Sequence, residues 1–97
     1  MENEIKLFRN YYKFSEGEKL IPIQFISGEQ DINYSLITKN TEKFFKIEAL
    51  LYENYPKYAE TENFFVIGGN KINKSKTLKE NNINNNGIIA LIVNNLD

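Results

Sequence analysis

Two adjacent glycines behind an apolar strand, Val66-Ile67-Gly68-Gly69, are the first residues of this chain whose spacing hints at chemistry. Closely spaced glycines can let backbone N–H groups cradle a phosphate. Such a loop needs Gly-Lys-Ser/Thr and a helix opening directly behind it. Here Asn70-Lys71-Ile72-Asn73 follow, so the pair reads as a tight turn. Paired carboxylates could do acid–base work if one were held at a raised pKa. Glu48 and Glu53 lie five apart on a helical stretch, and Glu60 and Glu62 sit in a connection, so both pairs read as solvated surface. Ser27 has no histidine to activate it, because the chain contains 0 His, and 0 Cys removes thiolate chemistry and disulfides. The missing histidines also remove the commonest general base near neutral pH and the commonest metal ligand. The expectation is therefore no catalytic residue, no metal site, no cofactor and no small-molecule substrate.

Charge narrows the partners further. Lys71, Lys74, Lys76 and Lys79 crowd one segment, yet Lys+Arg 12 against Asp+Glu 13 gives a net charge of -1. Dedicated nucleic-acid binders carry a basic excess, so the lysines read as a solvated face and no nucleic-acid partner is expected. A mean hydropathy of -0.49 speaks against a spanning segment or signal peptide. Together with the absent cysteines this predicts an intracellular chain, in cytoplasm or nucleus, with no membrane partner. At 97 residues and 41% hydrophobic content the chain should form one domain with one modest core.

Periodicity places the elements. Ile21, Ile23 and Phe25 form an apolar row, and Ile32, Tyr34 and Leu36 alternate with Asp31, Asn33 and Ser35, which is the period of two of a half-buried strand. The two runs read as a hairpin whose connection holds Gly28, a residue that tolerates positive φ. Pro22 lacks an N–H and must sit near a strand start or on an unpaired side. Phe44, Ile47 and Leu51 recur at helical spacing, with Asn40 or Thr41 as the cap and Glu42 near the positive end. Pro56 stops this helix around Asn54 or Tyr55. Residues 57–63 then read as a polar connection. Strands follow around Phe65, at Lys71 to Ile72 and from Ile88 to Val93, with Asn86-Gly87 as turn material before the last. Two strands, a helix and a return to strands predict an α+β layout, a mixed sheet of four to five strands with one helix on one face. Residues 1–17 read as an N-terminal extension and 18–97 as the domain. In the extension Ile5, Phe8 and Tyr12 share a helical face, so a short helix is expected, with a strand or loose arm as the alternative.

The run Phe65 to Val93, with its break at Gly68-Gly69, Ile72, Thr77-Leu78, Ile83 and the alternating Ile89, Leu91 and Val93, resembles the second half of ubiquitin. With the strands and helix from Leu20 to Asn54, the resemblance to the ubiquitin-like (β-grasp) family covers roughly four-fifths of the chain. Conjugated members end in two glycines, whereas this sequence closes on Val93-Asn94-Asn95-Leu96-Asp97, so the resemblance implies a non-conjugating type. The alternative is a modifier attached to, or processed with, other proteins.

The helix of a β-grasp domain covers one sheet face, and strand alternation then points Ile26, Phe64, Val66, Ile88, Ala90 and Ile92 away from it. Val66, Ala90 and Ile92 fall on the family's hydrophobic recognition patch. The hairpin offers Gly28 where a mobile leucine would complete that patch, and Phe64 replaces a basic rim. The expected partner-binding residues are Ile26, Phe64, Val66, Ala90 and Ile92. Basic grooves of related domains meet acidic motifs, which makes Lys71, Lys74 and Lys76 a secondary partner patch. The expected function is a protein–protein interaction module, adaptor or subunit of a larger assembly. If about 400 Å² of the patch is covered, a gross gain near 10 kcal/mol is set against an association cost of about 4 to 15 kcal/mol. A durable complex would need more surface than this. The competing arrangement is that Met1 to Phe14 folds over the patch and buries it internally.

Overall fold

Alternating apolar residues become strands wherever a second strand can cover one face, and both hairpin halves do so here. In the computed structural model, which describes residues 16–28 and 31–94, β1 (Leu20–Ser27) pairs antiparallel with β2 (Asn33–Lys39). The expectations for Met1 to Phe14 and for Leu96-Asp97 lie outside the described residues. Gly28 does not use the left-handed backbone open to it, and the positive-φ glycines among the described residues are Gly17, Gly68 and Gly69. The Pro22 carbonyl accepts from the Asn86 amide at 2.8 Å, and its side of the strand faces the last strand just before that pairing begins at Ile23. The missing N–H thus falls beyond the ladder.

The helix α1 (Phe44–Asn54) buries Phe44, Ile47 and Leu51 and stops before Pro56, as the periodicity predicts. Its start differs from expectation. Neither Asn40 nor Thr41 caps it. The first free amides, Phe44 and Phe45, donate to the carbonyls of Lys76 (3.0 Å) and Lys74 (3.1 Å), so a distant loop supplies the acceptors. Asn40 is used elsewhere: its Oδ1 accepts from the Lys19 amide at 2.9 Å and its Nδ2 donates to the Gly17 carbonyl at 3.1 Å, clamping the start of β1 to the end of β2. The stretch read as a polar connection contains a short 3-10 helix, Pro56–Glu60, whose Tyr58 is buried.

β3 (Asn63–Ile67) and β4 (Asn70–Lys71) form a hairpin with Ile67 opposite Asn70. Its two loop residues, Gly68 (φ 55°) and Gly69 (φ 81°), both need positive φ, the requirement of a type I′ turn. Beyond β4 the Thr77 amide donates to Glu80 Oε1 and the Glu80 amide donates to Thr77 Oγ1, each at 3.0 Å, a reciprocal capping box. β5 (Gly87–Val93) then runs parallel to β1 and antiparallel to β3. The sheet order is β2-β1-β5-β3-β4.

The core lies between this sheet and α1. Phe44 packs 4.9 Å from Phe65 and 6.1 Å from Phe25, and Phe25 packs 5.7 Å from Phe65, all tilted or edge-on. Ile23, Ile32, Ile47, Ile72, Ile83, Ile89 and Leu91 surround them, and Ile21, Leu78 and Tyr58 complete the layer. No helix among the described residues is long and apolar enough to cross a membrane.

Candidate functional site: the outer sheet face

With Ile89 and Leu91 buried at 0% and 2% exposure, strand geometry turns their neighbours outward: Ile88 is 54% and Ile92 40% exposed. Register then assembles the face. Ile26 of β1 lies opposite Ala90 of β5, Ala90 opposite Val66 of β3, and Val66 opposite Lys71 of β4, one row across four strands. Phe64 opposite Ile92 makes a second row. Ile26 is 37% exposed, and Phe64, Val66 and Ala90 are half-buried. The five residues expected to bind a partner therefore share one contiguous surface on the side away from α1.

The face is larger than the sequence reading made it. Ile37, at 65% exposure, lies opposite Pro22. The alternation that turns Ile32, Tyr34 and Leu36 inward also puts Asn33, Ser35 and Ile37 outside, a signal present in the sequence. Pro22, Gln24, Ser35, Ile37, Asn86 and Ile88 are among the residues lining a shallow groove of about 470 Å³ at this end of the face.

The three lysines of the secondary patch do not converge. Lys71 Nζ stands 5.2 Å from the centroid of the Phe64 ring, a cation–π contact at the margin of the apolar face. Lys74 is on the helix side, where its ammonium donates to Glu48 Oε2 at 2.7 Å and to the Asn63 carbonyl at 2.8 Å, with the Phe65 ring 5.4 Å away. Lys76 is exposed, and its carbonyl serves the helix start.

Among the described residues, Asp31 and Glu48 each anchor a cluster of polar side chains. Asp31 accepts from Ser27 Oγ at 2.6 Å and from the Tyr58 hydroxyl at 2.6 and 2.7 Å, and pairs with Lys57. Lys57 first, then Ser27 and Tyr58, hold its carboxyl below the usual carboxylate range, which makes it a poor base. The hydrogen bond to Asp31 pushes the Tyr58 phenol up. No local pattern announced this cluster, since Tyr58 reaches Asp31 across 27 residues. A second groove, of about 530 Å³, lies beside it between Ser27, Tyr58, Thr61 and Leu91 to Val93. Glu48 accepts from Tyr52 at 2.5 Å as well as from Lys74, and burial followed by that bond pushes the Tyr52 phenol up. Among the described residues no group of His, Cys, Asp and Glu could hold a metal ion. What the described surface offers is an apolar sheet with a basic margin.

No protein-family model matches this chain, and no curated protein sequence matches it. A solved structure of a de novo design based on ubiquitin superposes with a TM-score of 0.67, covering 86% of this chain and 96% of that one at 17% identity. At that identity the likeness speaks to fold alone, and the fold is a ubiquitin-like β-grasp: a mixed five-stranded sheet with one helix on one face.

Proposed function

We propose that this ubiquitin-like domain is a non-enzymatic interaction module, an adaptor or small subunit of an intracellular assembly, that holds a protein partner non-covalently through Ile26, Phe64, Val66, Ala90 and Ile92. One observation carries the reading. The five side chains lie in adjoining rows of β1, β5 and β3, on the sheet face that α1 leaves open. Exposed apolar side chains gathered on one face mark partner sites more often than scattered ones do. The partner should present an apolar surface, with an acidic group near Lys71, which already leans on Phe64 at the rim. Lys74 is engaged by Glu48, so Lys71 leads any basic contribution.

Val66 is half-buried in the central row, and a carboxylate there would be desolvated by any close-fitting apolar partner. The full chain carrying Val66→Asp should keep its far-UV circular dichroism and lose at least about tenfold in retention of a co-purified partner, the effect of 1.4 kcal/mol. Undiminished retention by the folded variant would remove the face from the proposal.

A further inference from the structure

We infer that β2 pairs edge to edge with β2 of a second copy of this chain, antiparallel and centred on Leu36, so that two five-stranded sheets join into one. This pairing uses the sheet edge and does not depend on what the outer face binds.

The two edges of the sheet differ. β4 is two residues long and carries Lys71, a short and charged edge of the kind that resists strand addition. β2 is seven residues long, and its one charge, Lys39, stands at its end. Opposed residues of antiparallel strands alternate between exchanging hydrogen bonds and pointing those groups away from each other. Pro22, opposite Ile37, turns its carbonyl to the Asn86 amide on the β5 side, so Ile37 points its own N–H and C=O off the sheet. The same parity turns Asn33, Ser35 and Lys39 outward. Asn33 is already engaged, since its amide donates to the Tyr55 hydroxyl at 3.4 Å and its carbonyl accepts from that hydroxyl at 3.3 Å. The Lys39 carbonyl accepts from the Glu42 amide at 3.2 Å. No described residue bonds the outward groups of Ser35 and Ile37.

What remains is a window with one N–H and one C=O on each side of Leu36, and such a window is complementary to itself. A two-fold axis at Leu36 sets Ser35 opposite Ile37 of the second copy and bonds every open donor and acceptor of both. Sliding the register by two residues sets an open residue against the closed Asn33 or Lys39 and halves the hydrogen bonds, so one register is favoured. Side chains agree on both sides of the junction. Leu36, packed against the core on the helix side, meets its mate at the close spacing of a non-hydrogen-bonded pair. Ile37, 65% exposed on the outer side, lies diagonal to its mate. Charges do not collide: Lys39 falls opposite Asn33 of the second copy, and the two Lys39 stand about 20 Å apart, well beyond a Debye length of about 8 Å. The area covered falls below the roughly 1,200 Å² of a standard interface, so the dimer is reversible and grows with concentration.

The test follows sedimentation and amide hydrogen exchange of the 15N-labelled full chain from about 0.02 to 2 mM, a range that brackets weak association. The average mass should climb toward that of a dimer, and the Ser35 and Ile37 amides should gain protection with it, while Tyr34 and Leu36, bonded to β1, exchange slowly throughout. Ser35→Pro removes an N–H that no bond within the protomer uses, so the fold should survive and association should weaken at least tenfold. If proline distorts the strand, Ile37→Lys sets like charges on the diagonal at an exposed position and should weaken association as much. A monomer at every concentration overturns the pairing. Protection of the two amides that does not vary with concentration also overturns it, because the edge would then belong to a segment of the same chain or to a bound foreign strand. Val66→Asp should associate as the unaltered chain does; association lost in Val66→Asp but kept in Ser35→Pro would move the contact to the outer face and refute the edge pairing.

Discussion

Leu91 and Ile92 are neighbours in β5, similar in size and opposite in direction, and replacing each by alanine measures the property on which the outer face depends. Leu91 is 2% exposed within the core layer, so Leu91→Ala loses its burial and leaves a cavity, a cost of about 2 to 5 kcal/mol. Ile92 is 40% exposed, as is Ile88 at 54%. A fully buried isoleucine contributes about 1.5 to 3 kcal/mol, so a residue covered over roughly half its surface should lose about 1 kcal/mol and leave no enclosed void. The gap between the two classes is then at least about 1 kcal/mol. For a domain of this length 1 kcal/mol moves the thermal midpoint by about 4 to 8 °C, so Leu91→Ala should fall at least twice as far as Ile88→Ala or Ile92→Ala. The chain has 6 Tyr and no Trp, which makes tyrosine fluorescence and circular dichroism the probes for urea and thermal unfolding. Equal losses at positions 91 and 92 would mean that the side chains of β5 do not divide between helix and solvent, and the docking surface would go with that division.

Two further outcomes are expected. The folded-state pKa of Asp31 is depressed, so its contribution to stability is complete above the ordinary carboxylate pKa near 4 and drains away as pH falls toward the folded value; Asp31→Asn should flatten the acid limb of the thermal midpoint against pH, and a limb of unchanged steepness would deny the cluster with Lys57, Ser27 and Tyr58. Gly69 has φ 81° with open space where a Cβ would stand, so Gly69→Ala costs only backbone strain, about 1 to 2 kcal/mol, and Gly69→Asn less; equal urea midpoints for all three proteins would reject the type I′ turn.

Strands and helix were legible because their signals are local. The alternation through Ile32, Tyr34 and Leu36 and the recurrence of Phe44, Ile47 and Leu51 each declare a face within a few residues. Gly68-Gly69 declared its turn equally well, since two consecutive positive-φ residues leave few other choices. The features that escaped depend on contacts distant in sequence. Asn40 is a fair helix cap by type, but Gly17 and Lys19 claim its side chain while the Lys74 and Lys76 carbonyls serve the helix, an exchange visible only once residues 73–78 are folded back. Tyr58 sits in a polar stretch and is drawn inward by Asp31. Asn81 stands in an asparagine-rich stretch without periodicity, yet its side chain accepts from the Asn73 amide and donates to the Asn73 and Thr77 carbonyls, tying the long β4 to β5 connection together. Ile37 is the one site residue that a local rule, applied to the second face of β2, would have found.

The parallel seam between β1 and β5 also bears on how this domain can be made. Residues 23–27 are flanked in the finished sheet by residues 87–91, which are synthesised after every other described strand. Until β5 is made, nothing in the chain can pair with this edge of β1 as the finished sheet does, and the edge is open to other chains. Sheet closure should therefore wait for β5, and chains cut short before it should be prey for chaperones and proteases.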